Sequence, residues 1–395
     1  PVEGWVERLD PLTLDVTAAS PRLPGGAYWP GGLAAHANGS IIMVFGRWCH
    51  RLTPDLEVLA SHRMPVAGPH NSCVILDGGE LVMKDCDAPA GREPSTVSVL
   101  DPETLLPVVP ALRLPEPSIA RLSSDGETVI AVGTTVIFRL RLDRAAGRLR
   151  IDDTWQPRYG PAPGRGYGWD PVITEEHVLW MDNGRNHTDR TMLASGESPD
   201  PVRLWWARRD DDRAVSSVEI SGLPYGTESN PPAWDAAGGV VVAYDAGNAV
   251  LRAWRLVGDA MQPLWRRDGL AHAGHLIVYP DTRELVVQDF RDVEGLRRPG
   301  LRRALRPVPG KVDALILDYA PVEARNIVMA GDVLGVEAKK EVYLKETAEE
   351  GEVIGGFTFD GNVRWLNGSP MELISRSLDY LGASPWVWDK GEDGW

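Results

Sequence analysis

The sequence lacks long apolar runs and is poor in cysteine. No apolar stretch approaches the roughly 18 residues of a membrane-spanning helix, so we expect no membrane partner. Cys49, Cys73 and Cys86 are odd in number and form no Cys-x-x-Cys pair, which favours reduced core thiols in a cytoplasmic protein. An exported chain with its signal peptide removed is the alternative, and it would allow a disulfide between Cys86 and either of the other two.

Positive charge is also in deficit. The 395 residues carry a formal net charge of −15. Because proteins bind nucleic acid through basic surfaces, this balance argues against a nucleic-acid partner. It is compatible with a bound cation and favours solubility.

Turn-forming residues are abundant, with 41 glycines and 32 prolines spread along the chain. This composition is typical of many short strands and argues against long helices. In residues 68–85, GPHNSCVILDGGELVMKD, two apolar strands flank an Asp-Gly-Gly turn, which is a strong hairpin signal. Similar hairpins begin near residues 31, 118, 168, 229, 273 and, more weakly, 332.

A second phrase recurs between the hairpins. It reads LDPLTLDV at 9–16, LTPDLEVL at 52–59 and LDPETLLPV at 100–108, and it predicts two further strands joined by a turn. Four strands per unit, at a spacing of about 40–60 residues, predict the blades of an all-β propeller. We therefore expect a single propeller domain over residues 1–395 with seven four-stranded blades, six being the alternative.

The two ends of the chain are expected to close this ring. Residues 5–23 contain the second phrase without a preceding hairpin, so they are predicted to pair with strands from 332–366. Residues 367–395 are predicted to form a C-terminal helix, over 370–381, and a tail. With six blades, residues 311–395 would instead be an appendage.

The residues just before the first strand of each blade lie together at one end of a propeller's channel. Five of the seven hairpins place His, Asn, Asp or Glu there, side chains that bind metals or transfer protons. We expect a divalent metal ion, with ligands drawn from His70, Asn230, His275 and Asp332. The candidate catalytic residues are Asp170, Glu228 and His275. Alternatively, these polar residues satisfy backbone groups at the turns.

Tryptophan is unusually frequent, with 15 residues beside five phenylalanines. Indole rings stack on sugars, bases and cations and donate one hydrogen bond. The candidate substrate-binding residues are Trp29, Trp169 and Trp234, near the starts of first strands, together with Asn71. The remaining tryptophans are expected to fill the gaps between blades.

Two hairpins resemble those of known propeller families. Residues 167–180, YGWDPVITEEHVLW, and 228–244, ESNPPAWDAAGGVVVAY, look like the inner strands of furanosidase-type glycoside hydrolases. That resemblance implies Asp170 as base and Glu228 as acid. The acidic, Asn and His side chains of the channel also resemble the metal site of gluconolactonase-type and lyase-type propellers. The residues matching that site are Glu228, Asn230, His70, Asp170 and His275.

The leading hypothesis is an enzyme that binds a small polar substrate in the central funnel. Its reaction would be a metal-assisted hydrolysis or elimination, with Glu228 or Asp170 as general base. A non-catalytic scaffold for protein interactions is one alternative, because many propellers have that role. A glycan-processing enzyme that uses Asp170 and Glu228 alone is the other. The oligomeric state is left open.

Overall fold

The computed structural model describes residues 3–9, 16–25, 32–65, 68–86, 93–159, 170–182, 201–224, 231–245, 248 and 250–268, and the backbone of strands at 277–279, 284–289, 313–319 and 322–329. Within these ranges the elements of regular secondary structure are β-strands, and none is an α-helix. In the same ranges no helix is long and apolar enough to cross a membrane.

The first strands form an interrupted antiparallel hairpin, called here the N-terminal hairpin. Its strands are β1 (Glu3–Gly4), β2 (Glu7–Leu9), β3 (Val16–Ala19) and β4 (Leu23–Pro24). β2 pairs with β3, and β1 pairs with β4 beyond them. The two short sheets are therefore successive parts of one hairpin.

Three four-stranded antiparallel sheets follow, called blades 1 to 3. Blade 1 contains β5 (Gly32–Ala35), β6 (Ile41–Phe45), β7 (Trp48–Leu52) and β8 (Val58–Arg63). Blade 2 contains β9 (His70–Ile75), β10 (Leu81–Asp85), β11 (Thr96–Leu100) and β12 (Leu112–Arg113). Blade 3 contains β13 (Ser123–Ser124), β14 (Thr128–Val132), β15 (Ile137–Asp143) and β16 (Arg148–Ile151).

Three more sheets of the same kind are blades 4 to 6. Blade 4 contains β17 (Val172–Ile173), β18 (His177–Asp182), β19 (Arg203–Arg208) and β20 (Val215–Glu219). Blade 5 contains β21 (Ala233–Asp235), β22 (Val240–Asp245), β23 (Val250–Val257) and β24 (Ala260–Asp268). Blade 6 contains β25 (Ile277–Tyr279), β26 (Glu284–Asp289), β27 (Asp313–Tyr319) and β28 (Val322–Met329).

The sheets are arranged as the blades of a β-propeller. In each blade the strands pair in chain order, and first strands of successive blades contact one another: β5 with β9, β9 with β13, β13 with β17, and β21 with β25. Radial packing of four-stranded antiparallel sheets around the first strands defines this fold. The predicted all-β propeller is confirmed.

The blade count agrees with the predicted seven: six complete blades and the N-terminal hairpin as part of another. The recurring phrase joins the third strand to the fourth in blades 1 and 2, and joins β2 to β3 in the hairpin. The hairpin thus corresponds to the outer half of a blade. Its predicted partner strands at 332–366 and the predicted C-terminal helix and tail at 367–395 lie outside the described residues.

Successive residues of a second strand pack against opposite neighbouring blades. In β10, Leu81 and Met83 join the core shared with blade 1, whereas Val82 joins the core shared with blade 3. This follows from the two-residue period of a strand, whose side chains alternate between faces. The N-terminal hairpin covers the other face of blade 1, where Val6 and Leu23 contact the cluster that contains Met43.

The turns between first and second strands lie on one side of the ring, called here the turn side. Side chains there connect the turn between the first and second strands of one blade to the turn between the third and fourth strands of the next blade. The links are Asn38 Nδ2 to Glu103 Oε1 at 2.6 Å, Arg144 Nε to Glu80 Oε1 at 2.6 Å, Arg209 to Asp125, and His177 Nε2 to Asp259 Oδ1 at 2.9 Å. Blades 1 to 5 are thus joined in sequence on this side.

The three cysteines agree with the prediction of reduced core thiols. Cys49, Cys73 and Cys86 are buried, and none of the three forms a disulfide. Burial raises the pKa of the Cys49 thiol to about 12, because the thiolate would lose its hydration. The cytoplasmic location stays a prediction.

Candidate functional site

The side opposite the turn side is called here the entrance end. In antiparallel four-stranded blades, first strands begin on this side, and the connections from second to third strands lie there too. His70 is the first residue of β9, and Asp170 directly precedes blade 4. Both residues therefore lie near the start of a first strand, where the sequence predicted them.

Asp170 is buried and cross-links blades 3 and 4. Its Oδ1 accepts a hydrogen bond from the Arg121 backbone N–H at 2.5 Å, and its Oδ2 accepts one from Arg121 Nε at 2.7 Å. Ser123 Oγ adds a bond to the Pro171 carbonyl at 2.5 Å. Side chains thus bridge first strands that belong to separate sheets. Asp170 is therefore a fixed, ion-paired carboxylate, and its predicted role as a general base stays a prediction.

Lys84, next to the end of β10, is fully buried at the entrance end. Its Nζ donates to the Ser118 carbonyl at 2.6 Å and to the Asp85 carbonyl at 3.2 Å. Burial lowers the pKa of this ammonium, and electrostatic interactions with Cys86, Asp85 and Asp170 oppose the shift. Sequence reasoning missed Lys84. The available signal was one lysine inside the apolar strand LVMKD.

His70 is fully buried beside two positive charges. Its backbone N–H donates to the Gly46 carbonyl at 2.6 Å, and its Nδ1 lies 3.4 Å from the same oxygen. Burial lowers the pKa of His70 to about 4; the Gly46 bond opposes this, while Lys84 and Arg47 add to it. The ring is consequently neutral at pH 7. Its Nε2 is buried and has no hydrogen-bond partner.

Lys84 brings two of the predicted site residues into one electrostatic neighbourhood. Its positive charge lowers the pKa of His70, and the Asp170 carboxylate raises the pKa of Lys84. The site therefore combines His70 from blade 2, Asp170 from the start of blade 4, and a lysine between them. Such clusters of buried ionisable groups are frequent at functional sites.

Eight other residues were predicted for the site, and the structure describes the side chain of one of them, Trp234. Six of them lie outside the described residues: Trp29, Trp169, Glu228, Asn230, His275 and Asp332. Asn71 belongs to β9, whose backbone alone is described at that position. Trp234 lies in β21, where it packs, partly buried, against the core between blades 4 and 5. Packing between blades accounts for Trp234, as it does for the buried Trp180 and Trp254.

The predicted metal site is described only at His70. Among the described residues, no group of three or more His, Cys, Asp or Glu side chains could hold a metal ion. Lys84 and Arg47 place positive charge beside His70, which opposes a cation at that ring. The metal ion stays a prediction that depends on Asn230, His275 and Asp332.

An aspartate recurs at the end of second strands, and sequence reasoning missed this repeat. It is the last residue of the strands LVMKD, HVLWMD, VVVAYD and ELVVQD. Asp85 Oδ1 accepts from the Thr96 N–H at 2.5 Å, and Asp245 Oδ1 accepts from the Asn248 N–H at 3.2 Å. Asp85 and Asp245 thus fix the connection to the third strand, which is a structural role.

Comparisons with known proteins give structural neighbours alone. No protein-family model matches the chain, and neither does any curated protein. The Pan2 WD40 domain of Neurospora crassa is 12% identical, with a TM-score of 0.49 over 72% of this chain and 80% of that one. A proposed 6-phosphogluconolactonase from Bacteroides fragilis is 12% identical, with a TM-score of 0.43 over 77% and 80%. A coronin WD40 domain from Toxoplasma gondii is 10% identical, with a TM-score of 0.41 over 80% and 70%.

Proposed function

We propose that this propeller binds a small polar molecule at its entrance end. The observation that carries the proposal is the gathering of ionisable side chains from consecutive blades: the buried His70 and Lys84 from blade 2, and the buried Asp170 with the partly buried Arg121 where blades 3 and 4 meet. Blades contribute side chains to a shared axial site in ligand-binding propellers, because their first strands converge there.

The free-energy cost of burying Lys84 and His70 favours a role for them beyond stability. Burial of an ammonium or imidazole costs free energy unless its charge is compensated, and here it lowers the pKa of both Lys84 and His70. An apolar side chain at either position would avoid that cost. The presence of several buried ionisable groups close together is typical of binding and catalytic sites.

The finer form of the proposal is an enzyme that carries out a metal-assisted hydrolysis or elimination. Asp170 or Glu228 would be its general base, and Arg121 would hold the Asp170 side chain in position. The predicted ligands Asn230, His275 and Asp332 would hold the metal ion, while the positive charges of Lys84 and Arg47 disfavour the fourth predicted ligand, His70. Metal analysis of the purified protein tests this: we expect one metal per chain, lost in His275→Ala. A metal-free protein contradicts the metal-assisted reaction.

Thermal unfolding in a panel of sugars, carboxylates and phosphates tests the binding proposal. At least one compound is expected to raise the Tm of the unmodified protein but not of His70→Gln. His62→Gln is the matched control, because His62 also has a buried Nε2 without a partner but lies in the outermost strand β8. If every compound leaves the Tm unchanged, or His70→Gln responds fully, the proposal is wrong.

A second candidate function, a scaffold for protein interactions, is favoured by apolar side chains on the outer rim. Val16, Leu59 and Leu106 are at least half exposed and lie in or beside the recurring turn phrase. Exposed apolar patches mark interaction surfaces. The test is a pull-down with the chain as bait. A protein that binds the unmodified chain and the control variant Val257→Asp, but not the double variant Leu59→Asp/Leu106→Asp, would support the scaffold. Equal binding to all three forms of the chain would contradict a role of these side chains in a scaffold.

A further inference from the structure

We propose that the entrance end contains a site for a small oxyanion, a carboxylate or a phosphate, formed by Arg47, His70 and Ser118. The inference rests on the proposed function and names the ligand class of that same site. Arg47 lies between β6 and β7 of blade 1, His70 begins blade 2, and Ser118 precedes blade 3.

The first observation is a group of buried polar atoms without partners. In the described part of the chain, seven buried side-chain nitrogen or oxygen atoms make no hydrogen bond, and three of them are Arg47 Nε, His70 Nε2 and Ser118 Oγ. Buried polar groups are normally satisfied by protein, water or ligand. Three such atoms on residues of one neighbourhood therefore indicate that something polar completes the site.

The second observation is that Lys84 connects Ser118 to His70, and that Arg47 lies beside His70. Lys84 Nζ donates to the Ser118 carbonyl at 2.6 Å, and its charge acts on His70. Arg47 also acts electrostatically on His70, and its chain neighbour Gly46 accepts the His70 N–H at 2.6 Å. The three unpartnered atoms thus belong to His70, to Arg47 beside it, and to Ser118, whose carbonyl binds the buried lysine that also acts on His70.

The third observation is the kind of atom presented. Arg47 Nε–H and the Ser118 hydroxyl are donors, and either nitrogen of the neutral His70 ring can carry the proton. The nearby carboxylates already accept hydrogen bonds, Asp85 from Thr96 and Asp170 from Arg121. Donors beside two positive charges attract an anion and repel a cation. A buried water would satisfy the same atoms without using the charge, so water is the competing explanation.

Calorimetric titration tests the site with inorganic phosphate and with malonate, each compared with sodium chloride at equal ionic strength. We expect one or both anions to bind, which also identifies the oxyanion, and we expect Arg47→Gln to weaken binding about tenfold or more. Ser118→Ala, which removes one neutral donor, is expected to weaken it less. Arg148→Gln is the matched control, because Arg148 is an exposed arginine on the outer strand β16.

Two results would overturn the inference. If neither anion binds the unmodified protein, water fills the site; if Arg148→Gln weakens binding as much as Arg47→Gln, the binding is non-specific charge attraction. Circular dichroism confirms that each variant is folded, and Ser118→Ala remains informative should Arg47→Gln unfold. A neutral compound that stabilises the protein through His70, with no binding of either anion, would contradict the oxyanion while leaving the proposed function intact.

Discussion

At the scale of single residues, the entrance end is defined by side chains whose ionisation is costly where they lie. His70 and Lys84 are both fully buried, and burial is the largest cause of the lowered pKa of each. Their neutral forms are favoured by folding, so proton binding and stability are linked. This linkage makes the environment of His70 measurable without any ligand.

The His70 ring should make stability depend on pH. Its pKa is about 4 in the folded protein, whereas the ordinary value for a solvated histidine is 6.5, so the unfolded chain binds more protons in that interval. Stability should therefore rise between pH 4 and 6.5, by about 3 kcal/mol from this group. Urea unfolding of His70→Gln should show a shallower dependence than the unmodified protein and His62→Gln. An unchanged slope in His70→Gln would show that His70 is not buried as described.

Leu105 and Leu106 are adjacent leucines with opposite environments. Leu105 is fully buried and has a positive φ of 59°, while Leu106 is 54% exposed. Leu105→Ala should lower the free energy of unfolding by about 3 kcal/mol through loss of packing, and Leu106→Ala by less than about 0.5 kcal/mol. Chemical denaturation of both variants measures this. Similar losses at the two positions would contradict the packing of this turn.

At the scale of elements, the links on the turn side repeat from blade to blade although their chemistry changes. An amide, two ion pairs and a histidine–aspartate pair all connect a turn between first and second strands to the following blade's turn between third and fourth strands. The geometry of the blade fixes the positions that meet, and different residue pairs satisfy them. The links therefore strengthen the contacts between blades, whose cores are apolar.

The Glu80–Arg144 pair should contribute measurably to stability. Arg144 donates two bonds to Glu80, and these lower the pKa of the Glu80 carboxyl. A double-mutant cycle with Glu80→Gln and Arg144→Gln should give a coupling energy of about 0.5–1 kcal/mol at pH 7, since Arg144 is partly exposed. The coupling should disappear as pH falls through the lowered pKa of Glu80.

The Arg113–Glu93 pair is the control for this cycle. Both of its side chains are mostly exposed, at 64% and 71%. Its coupling energy should be close to zero, because solvent screens an exposed pair. Equal coupling energies in the two pairs would show that the position of the Glu80–Arg144 pair between blades does not strengthen it.

At the scale of the whole molecule, the N-terminal hairpin covers a blade face that would otherwise be open. Val6 and Leu23 pack against the cluster of blade 1 that includes Leu33, Met43 and Leu52. In a ring, every blade must bury both faces, because each second strand is apolar on both. The hairpin therefore completes blade 1 as a neighbouring blade does.

Leu23→Asp should disrupt this contact. A charge placed among the buried side chains of that cluster should lower the free energy of unfolding by several kcal/mol and increase binding of an apolar dye to the exposed face of blade 1. Val16→Asp is the control, because Val16 is 54% exposed on the same hairpin. A Leu23→Asp protein with unchanged Tm and dye binding would show that the hairpin does not cover blade 1.

The sequence alone determined the repeat and therefore the fold. Asp-Gly and Asn-Gly turns between apolar runs are local signals, and at Gly39 and Gly79 the positive φ of the turn strongly favours glycine. Periodicity also predicted that His70 and Asp170 lie near the starts of first strands. Only the tertiary structure decided what surrounds them. Arg121, Lys84 and Arg47 are separated from their partners in sequence, so their pairing depends on how the blades stack. Local patterns encode strands and turns, whereas charge compensation at the entrance end is a property of contacts between blades.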